Sequence, residues 1–182
     1  MTDRPALPLL ETERLHLRWL TEDDAPLMLA IWNDPDFNRH VGDRGIRTLE
    51  EARAAMRDGI LTLYREQGMG PYGVFLHGSE EAMGICGLFK RDNLDYPDIG
   101  YGFLPAFCRN GYAVEAARAV RDHAASHMKL PRLLAIVSPD HQRSIRLLEK
   151  LGMSETDRLR MPGDDDDVVL YGMTLKNFST PS

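Results

Sequence analysis

The sequence predicts a single α+β domain in which a mixed, mostly antiparallel central sheet is flanked by about four helices. Three observations carry this reading. Segments with helical spacing of apolar residues lie on both sides of a central stretch. Within that stretch, Tyr72 to His77, Ala82 to Lys90 and Ile99 to Leu104 are short, rich in Gly and aromatics, and split by the turn clusters Gly78-Ser79 and Asp92-Asn93, as hairpin-joined strands are. Leu133-Leu134-Ala135-Ile136-Val137 is an unbroken apolar run, the mark of a strand covered on both faces. The domain is expected over residues 9–176, with short tails at 1–8 and 177–182.

Taken in order, Arg14 to Leu20 alternates polar and apolar residues, as a half-buried strand does. Thr21 offers an N-cap hydroxyl to a first helix, with Glu22, Asp23 and Asp24 at its positive end. That helix should bury Ala25, Met28 and Ile31 or Trp32, and stop near Asn33-Asp34-Pro35. Thr48-Leu49-Glu50-Glu51 is a capping box opening a second helix, whose apolar positions keep helical spacing to Gly68. A third runs from about Gly111 to Met128 and buries Ala113, Ala116 or Ala117, Val120 and Ala124. Ser138-Pro139 should open a fourth, with Pro at its first position and Gly152 as its left-handed cap. Met153 to Leu159 and Val168 to Leu175 read as a final hairpin around the acidic turn Asp164 to Asp167.

Composition narrows the function. The chain has 182 residues, 22 Lys+Arg against 28 Asp+Glu, and a formal net charge of −6, which argues against a surface built to neutralise nucleic-acid phosphates. No window approaches the ~18 apolar residues of a membrane span, so no membrane partner is expected. Two cysteines, Cys86 and Cys108, cannot staple a framework, and a reducing, cytoplasmic setting follows as the expectation.

The stretch richest in chemistry is Asp98 to Ala116. A strand passes through a short loop into an Ala-rich helix, and Arg109, Asn110 and Gly111 sit at the junction. The first turn of a helix leaves N–H groups without partners at the positive end of its dipole, Gly lets an anion approach, and Arg adds a full charge. Glycine at a strand-to-helix turn is common, so the fragment alone does not decide for anion binding. Neither a Gly-Lys-Ser/Thr phosphate loop nor a G-x-G-x-x-G fingerprint occurs.

In combination, several blocks resemble the GNAT-type N-acetyltransferases, in particular the RimJ/RimL-like branch. They are Glu11-Thr12-Glu13-Arg14-Leu15-His16-Leu17-Arg18 with Thr21-Glu22-Asp23-Asp24-Ala25, then Trp32-Asn33-Asp34-Pro35 and Ile99-Gly100-Tyr101. Gly111-Tyr112-Ala113-Val114-Glu115-Ala116 and Ser144 to Met153 complete the set, which spans about Leu10 to Leu175. The resemblance implies transfer of an acetyl group from acetyl-CoA to a primary amine, on a protein N-terminus or a small molecule, by direct attack in a ternary complex. No metal is implied, and the expected state is a monomer or homodimer. The alternative is a silent acyl-CoA-binding sensor or scaffold. Two departures bear on it: Cys108 stands where the family has Gln or Arg, and His141 where it usually has Asn.

Residue by residue, the resemblance makes Cys108, Arg109, Asn110, Gly111, Tyr112, Ala113 and His141 cofactor contacts, with backbone N–H groups near Phe103 and Leu104 polarising the thioester carbonyl. Asp98 matches an acidic position that often serves as base, directly or through water, and is otherwise a solvated strand-start residue. Ser144 matches a hydroxyl that assists thiolate departure, and is otherwise a helix-face serine bonded to its own backbone. Arg39, His40 and Arg44, in the linker between the first two helices, are candidates to hold an acceptor carboxylate. Cys108 lacks a recognisable His/Asp partner in sequence for covalent catalysis. His123 and His127, four apart on a helix, read as a surface pair rather than a metal site.

Overall fold

The computed structural model describes residues 9–175, so the expected tails at 1–8 and 177–182 and the domain's last residue lie outside the described residues. Eight strands form one sheet in the order β1-β2-β3-β4-β5-β6-β8-β7. The strands are β1 (Leu9–Glu11), β2 (Leu15–Trp19), β3 (Pro71–Leu76), β4 (Ala82–Phe89), β5 (Asp98–Phe103), β6 (Arg132–Val137), β7 (Ser154–Arg160) and β8 (Asp167–Thr174). The helices are α1 (Ala25–Trp32), α2 (Pro35–Val41), α3 (Leu49–Asp58), α4 (Ile60–Gln67), α5 (Tyr112–Ser126) and α6 (Gln142–Lys150).

Strands β1 to β5 form an antiparallel meander. Helix α5 then carries the chain to β6, which lies parallel to β5 and shares only the pair Asp98↔Leu134 with it. Beyond that rung the two strands diverge, while β6, β8 and β7 continue antiparallel. The period-2 burial of a strand divides the core. Leu15, Leu17, Cys86 and Leu88 pack with Ala116, Ala117, Val120 and Ala124 of α5. Ile85 joins the opposite layer, made by Ala25, Met28, Ile31 and Trp32 of α1 with residues of α3 and α4.

Among the described residues the α-helices number six where about four were expected, for two local reasons. Pro35, expected to end the first helix, opens α2 as well: the Asp34 side chain accepts from Phe37 N–H at 3.1 Å, so Asp-Pro is an N-cap followed by the favoured first residue. The second helix is two, because Gly59 at φ −106°, ψ −87° leaves the helical region between α3 and α4. The last helix begins at Gln142, not at Pro139. Ser138 and Pro139 lie in a turn closed by His141 N–H to Ser138 O at 3.0 Å, and the Ser138 hydroxyl donates to His40 O at 3.2 Å. Gly152 does end α6 as expected, at φ +93°, with Met153 N–H reaching back to Leu148 O.

Candidate active site

Where β5 and β6 part, a cavity of about 290 Å³ opens between the sheet, α2, the start of α5 and α6. Its anion-binding wall is the loop into α5. Arg109 (φ 70°) and Gly111 (φ 77°) both take left-handed conformations, which turn successive N–H groups to one side. Gly111 is the N-cap and brings no side chain, so the amides of the first turn of α5 lack a side-chain cap. Arg14 braces this loop: it donates to Asn110 O at 3.1 Å, pairs with Glu115 at 2.6 Å, and lies 4.6 Å from the Tyr112 ring centre. Glu115 is the one carboxylate in the first turn of α5. Its burial would raise its pKa, but hydrogen bonds from Thr12 and Arg14 outweigh that and hold it below the usual range. Arg109, Arg143, Arg146 and Lys150 also line the cavity.

Opposite the loop, β5 presents Tyr101, Gly102 and Phe103. Tyr101 Oη lies 2.5 Å from Ser144 Oγ of α6, bridging the gap between the two diverging halves of the sheet. Burial pushes the Tyr101 phenol well above its ordinary value, against the pull of the Ser144 hydrogen bond. It therefore stays protonated at neutral pH, and its hydroxyl is shared in the hydrogen bond with Ser144. His141 caps α6 at the same wall, and burial, with the charges of His40 and Arg143, lowers its pKa. Its ring stacks on His40 with centres 3.8 Å apart.

The structure thus brings Phe103, Cys108, Arg109, Gly111, Tyr112, Ala113, His141, Ser144 and His40 to one cavity. It does not bring the other predicted residues there. Leu104 N–H donates to Met83 O at 3.0 Å, so that amide is engaged with β4, whereas alternation turns the Phe103 amide toward the open side. Asn110 faces Arg14 through its carbonyl. Arg39 pairs with Asp140 at 3.4 Å and Arg44 lies over the Trp32 ring, outside the cavity lining. Cys108 lines the cavity with its Sγ 3.6 Å from Leu104 O.

Asp98 is neither solvated nor in the cavity. It is 1% exposed, at the closed end of β5, and paired with Arg91 at 3.0 Å. Five residue steps along the strand separate it from Phe103, roughly 17 Å. Burial raises its pKa and Arg91 partly offsets this. Tyr101 was a landmark without a role in the sequence reading; alternation along β5, which sets 101 and 103 on one side, is the signal that picks it out.

Comparison with known proteins agrees with this geometry. The family described as the acetyltransferase (GNAT) domain matches residues 14–154. An uncharacterised N-acetyltransferase of Bacillus subtilis, YoaA, is 31% identical over 154 residues, covering 84% of this chain and 86% of that protein. An acetyltransferase from Agrobacterium tumefaciens has a structure with TM-score 0.77 at 26% identity, covering 95% of this chain and 98% of that one. A RimL ribosomal-protein alpha-N-acetyltransferase in complex with coenzyme A superposes with TM-score 0.79 over 93% of this chain and 99% of its own; at 18% identity this likeness is one of fold. The family match and the named relatives place the chain among acyltransferases. The chain belongs to the GNAT acetyltransferase family and is an acetyl-CoA-dependent acetyltransferase.

Proposed function

We propose that the chain acetylates a primary amine, on a protein N-terminus or a small molecule, by direct attack within a ternary complex. One observation carries this reading: the Tyr101–Ser144 pair and the uncapped start of α5 face one cavity at the point where β5 and β6 separate. The amides of residues 111 to 113, with Arg109, would hold the diphosphate of acetyl-CoA. The Phe103 amide would polarise the thioester carbonyl as the amine adds and the oxyanion forms. As the carbon–sulfur bond breaks, the Ser144 hydroxyl, itself hydrogen-bonded to the Tyr101 hydroxyl, would donate a hydrogen bond to the departing thiolate, which takes its proton from solvent as the amine gives one up to solvent.

The acceptor's own proton leaves by another way than Asp98, which is shut into the sheet beside Arg91. An α-amino group, with a pKa near 7.7–8.0, is substantially neutral at physiological pH and can lose that proton to water. A terminal amine is therefore the acceptor that asks least of the site. Nothing in the cavity favours a silent acyl-CoA module, because both the anion-binding and the hydrogen-bond-donating groups are present. The two unpaired cysteines fit a cytoplasmic setting, for a monomer or homodimer.

Thiol release from acetyl-CoA, measured over a panel of N-terminal peptides and small amines, tests the reading. Turnover with at least one α-amine, abolished by Gly111→Glu, is the expected result. Tight coenzyme A binding with no release for any acceptor would overturn it.

A further inference from the structure

We propose that Asp36, His40 and His141 form a binding site for a borderline divalent transition-metal ion, of which Zn²⁺ is the type. Two imidazoles and a carboxylate are the donor set such ions prefer. The three residues come from α2 and the N-cap of α6, more than a hundred positions apart in sequence, and their donor atoms lie within 4.8 Å of one another. Tetrahedral coordination at zinc–nitrogen lengths sets donors about 3.4 Å apart, so no pair has to close by more than about 1.4 Å.

The individual atoms are arranged for it. His40 Nε2 and His141 Nε2 both face the Asp36 carboxylate, at 3.7 and 3.9 Å, beyond hydrogen-bonding reach. His141 Nε2 is buried and has no hydrogen-bond partner, which a structure rarely leaves in place without a ligand to satisfy it. A carboxylate also stands beside the far nitrogen of His40: Nδ1 lies 3.7 Å from Asp140 Oδ1, so a small closure would make the hydrogen bond that orients a metal histidine, and Arg39 pairs with the other oxygen of that carboxylate. Arg143 binds Asp36 through Oδ2 at 2.7 Å, which leaves Oδ1, the oxygen facing His40, to coordinate.

One movement is needed. The two rings stack within 5° of parallel, so their lone pairs do not yet converge, and one ring must turn about its Cβ–Cγ bond. The turn falls on the side chain alone: Phe37 anchors α2 against the α1 layer, and the helix meets the α6 turn through polar contacts. An ion there fastens α2 to α6 along the wall of the cavity.

Calorimetry of the chelator-treated full-length chain with ZnCl₂, in a non-coordinating buffer without acetyl-CoA or acceptor, tests this independently of acetyl transfer. The expected result is one ion per chain with a micromolar Kd. His40→Gln and His141→Asn should each weaken binding by at least about 100-fold, and Asp140→Asn by about 10-fold. His123→Gln with His127→Gln should leave it unchanged. Cobalt(II) gives a readout on the unmodified chain, so a variant that fails to fold does not end the test. Intense visible bands of a tetrahedral nitrogen–oxygen site are expected, and a spectrum like that of the hydrated ion overturns the proposal. It is equally overturned by absence of binding heat, or by binding that survives loss of both His40 and His141 and disappears with His123 and His127.

Discussion

The two ends of β5 are made of the same short strand and behave in opposite ways. At Asp98 the strand is closed on both sides: Phe89 faces it from β4, Leu134 from β6, and Leu134 N–H donates to Pro97 O at 3.0 Å. At Phe103 it keeps its partner in β4 but has lost β6, and α6 supplies Ser144 across the gap. The lesson is that charge and exposed amide play separate parts. The strand's own charged residue is shut into structure, and its open end presents the neutral Tyr101 hydroxyl and Phe103 amide.

The largest effect should come from the open end's anion wall. Gly111→Glu sets a carboxylate where the diphosphate is expected, and like charges a few ångströms apart at a protein surface cost about 4 kcal/mol. Coenzyme A affinity should fall by about 10³-fold by calorimetry, with the fold intact by circular dichroism; unaltered affinity would break the comparison at its open end. Ser144→Ala should lower kcat by about 100-fold and Tyr101→Phe by about 10-fold, both with coenzyme A affinity retained.

The closed end should answer in stability alone. Arg91→Ala strips the partner from a buried carboxylate, and because Arg91 is itself partly exposed the loss should be about 2–3 kcal/mol near neutral pH, with kcat unchanged. Its pH dependence has a definite sign. Burial raises the pKa of Asp98 in the folded state, so the native chain holds its proton over a range where the unfolded chain has released it, and stability falls as pH rises through that range. Removing Arg91 raises the pKa further, so the deficit should shrink as the carboxyl becomes neutral in mild acid. A deficit that grows on acidification, in thermal melts, would contradict this. The smallest effect belongs to Arg39→Ala with Arg44→Ala. Neither residue lines the cavity, so acceptor KM should stay within about twofold; a strong rise would restore them to acceptor binding.

Much of this was legible in residue order. Alternation at Leu15 and Leu17, the capping box at Thr48, the apolar run at Leu133 and the glycine after α6 each act over a few residues, and each produced the element it predicted. Where two local signals share residues, the reading failed: Asp34-Pro35 ends one helix and starts the next, and only the first sense was taken. The loop into α5 was legible because strand, glycine and helix adjoin. The role of Asp98 was not, because whether a carboxylate at a strand's start meets water or Arg91 depends on how the 90s turn folds back. Of the Asp36–His40–His141 cluster, only the four-residue spacing of Asp36 and His40 on one helix was visible, since the hundred residues to His141 have no periodicity to betray it.

A bare strand edge is ordinarily a hazard, since any other polypeptide can add itself there, and proteins spend charge, proline or bulges to prevent it. The free side of β5 between Tyr101 and Phe103 carries none of these, yet it lies inside the molecule, roofed by α2 and α6. The fold shields this backbone edge by geometry, setting it at the bottom of a cavity walled by α2 and α6. Aggregation-resistant variants should therefore be sought at the outer margins β1 and β7, leaving this inner margin as it is.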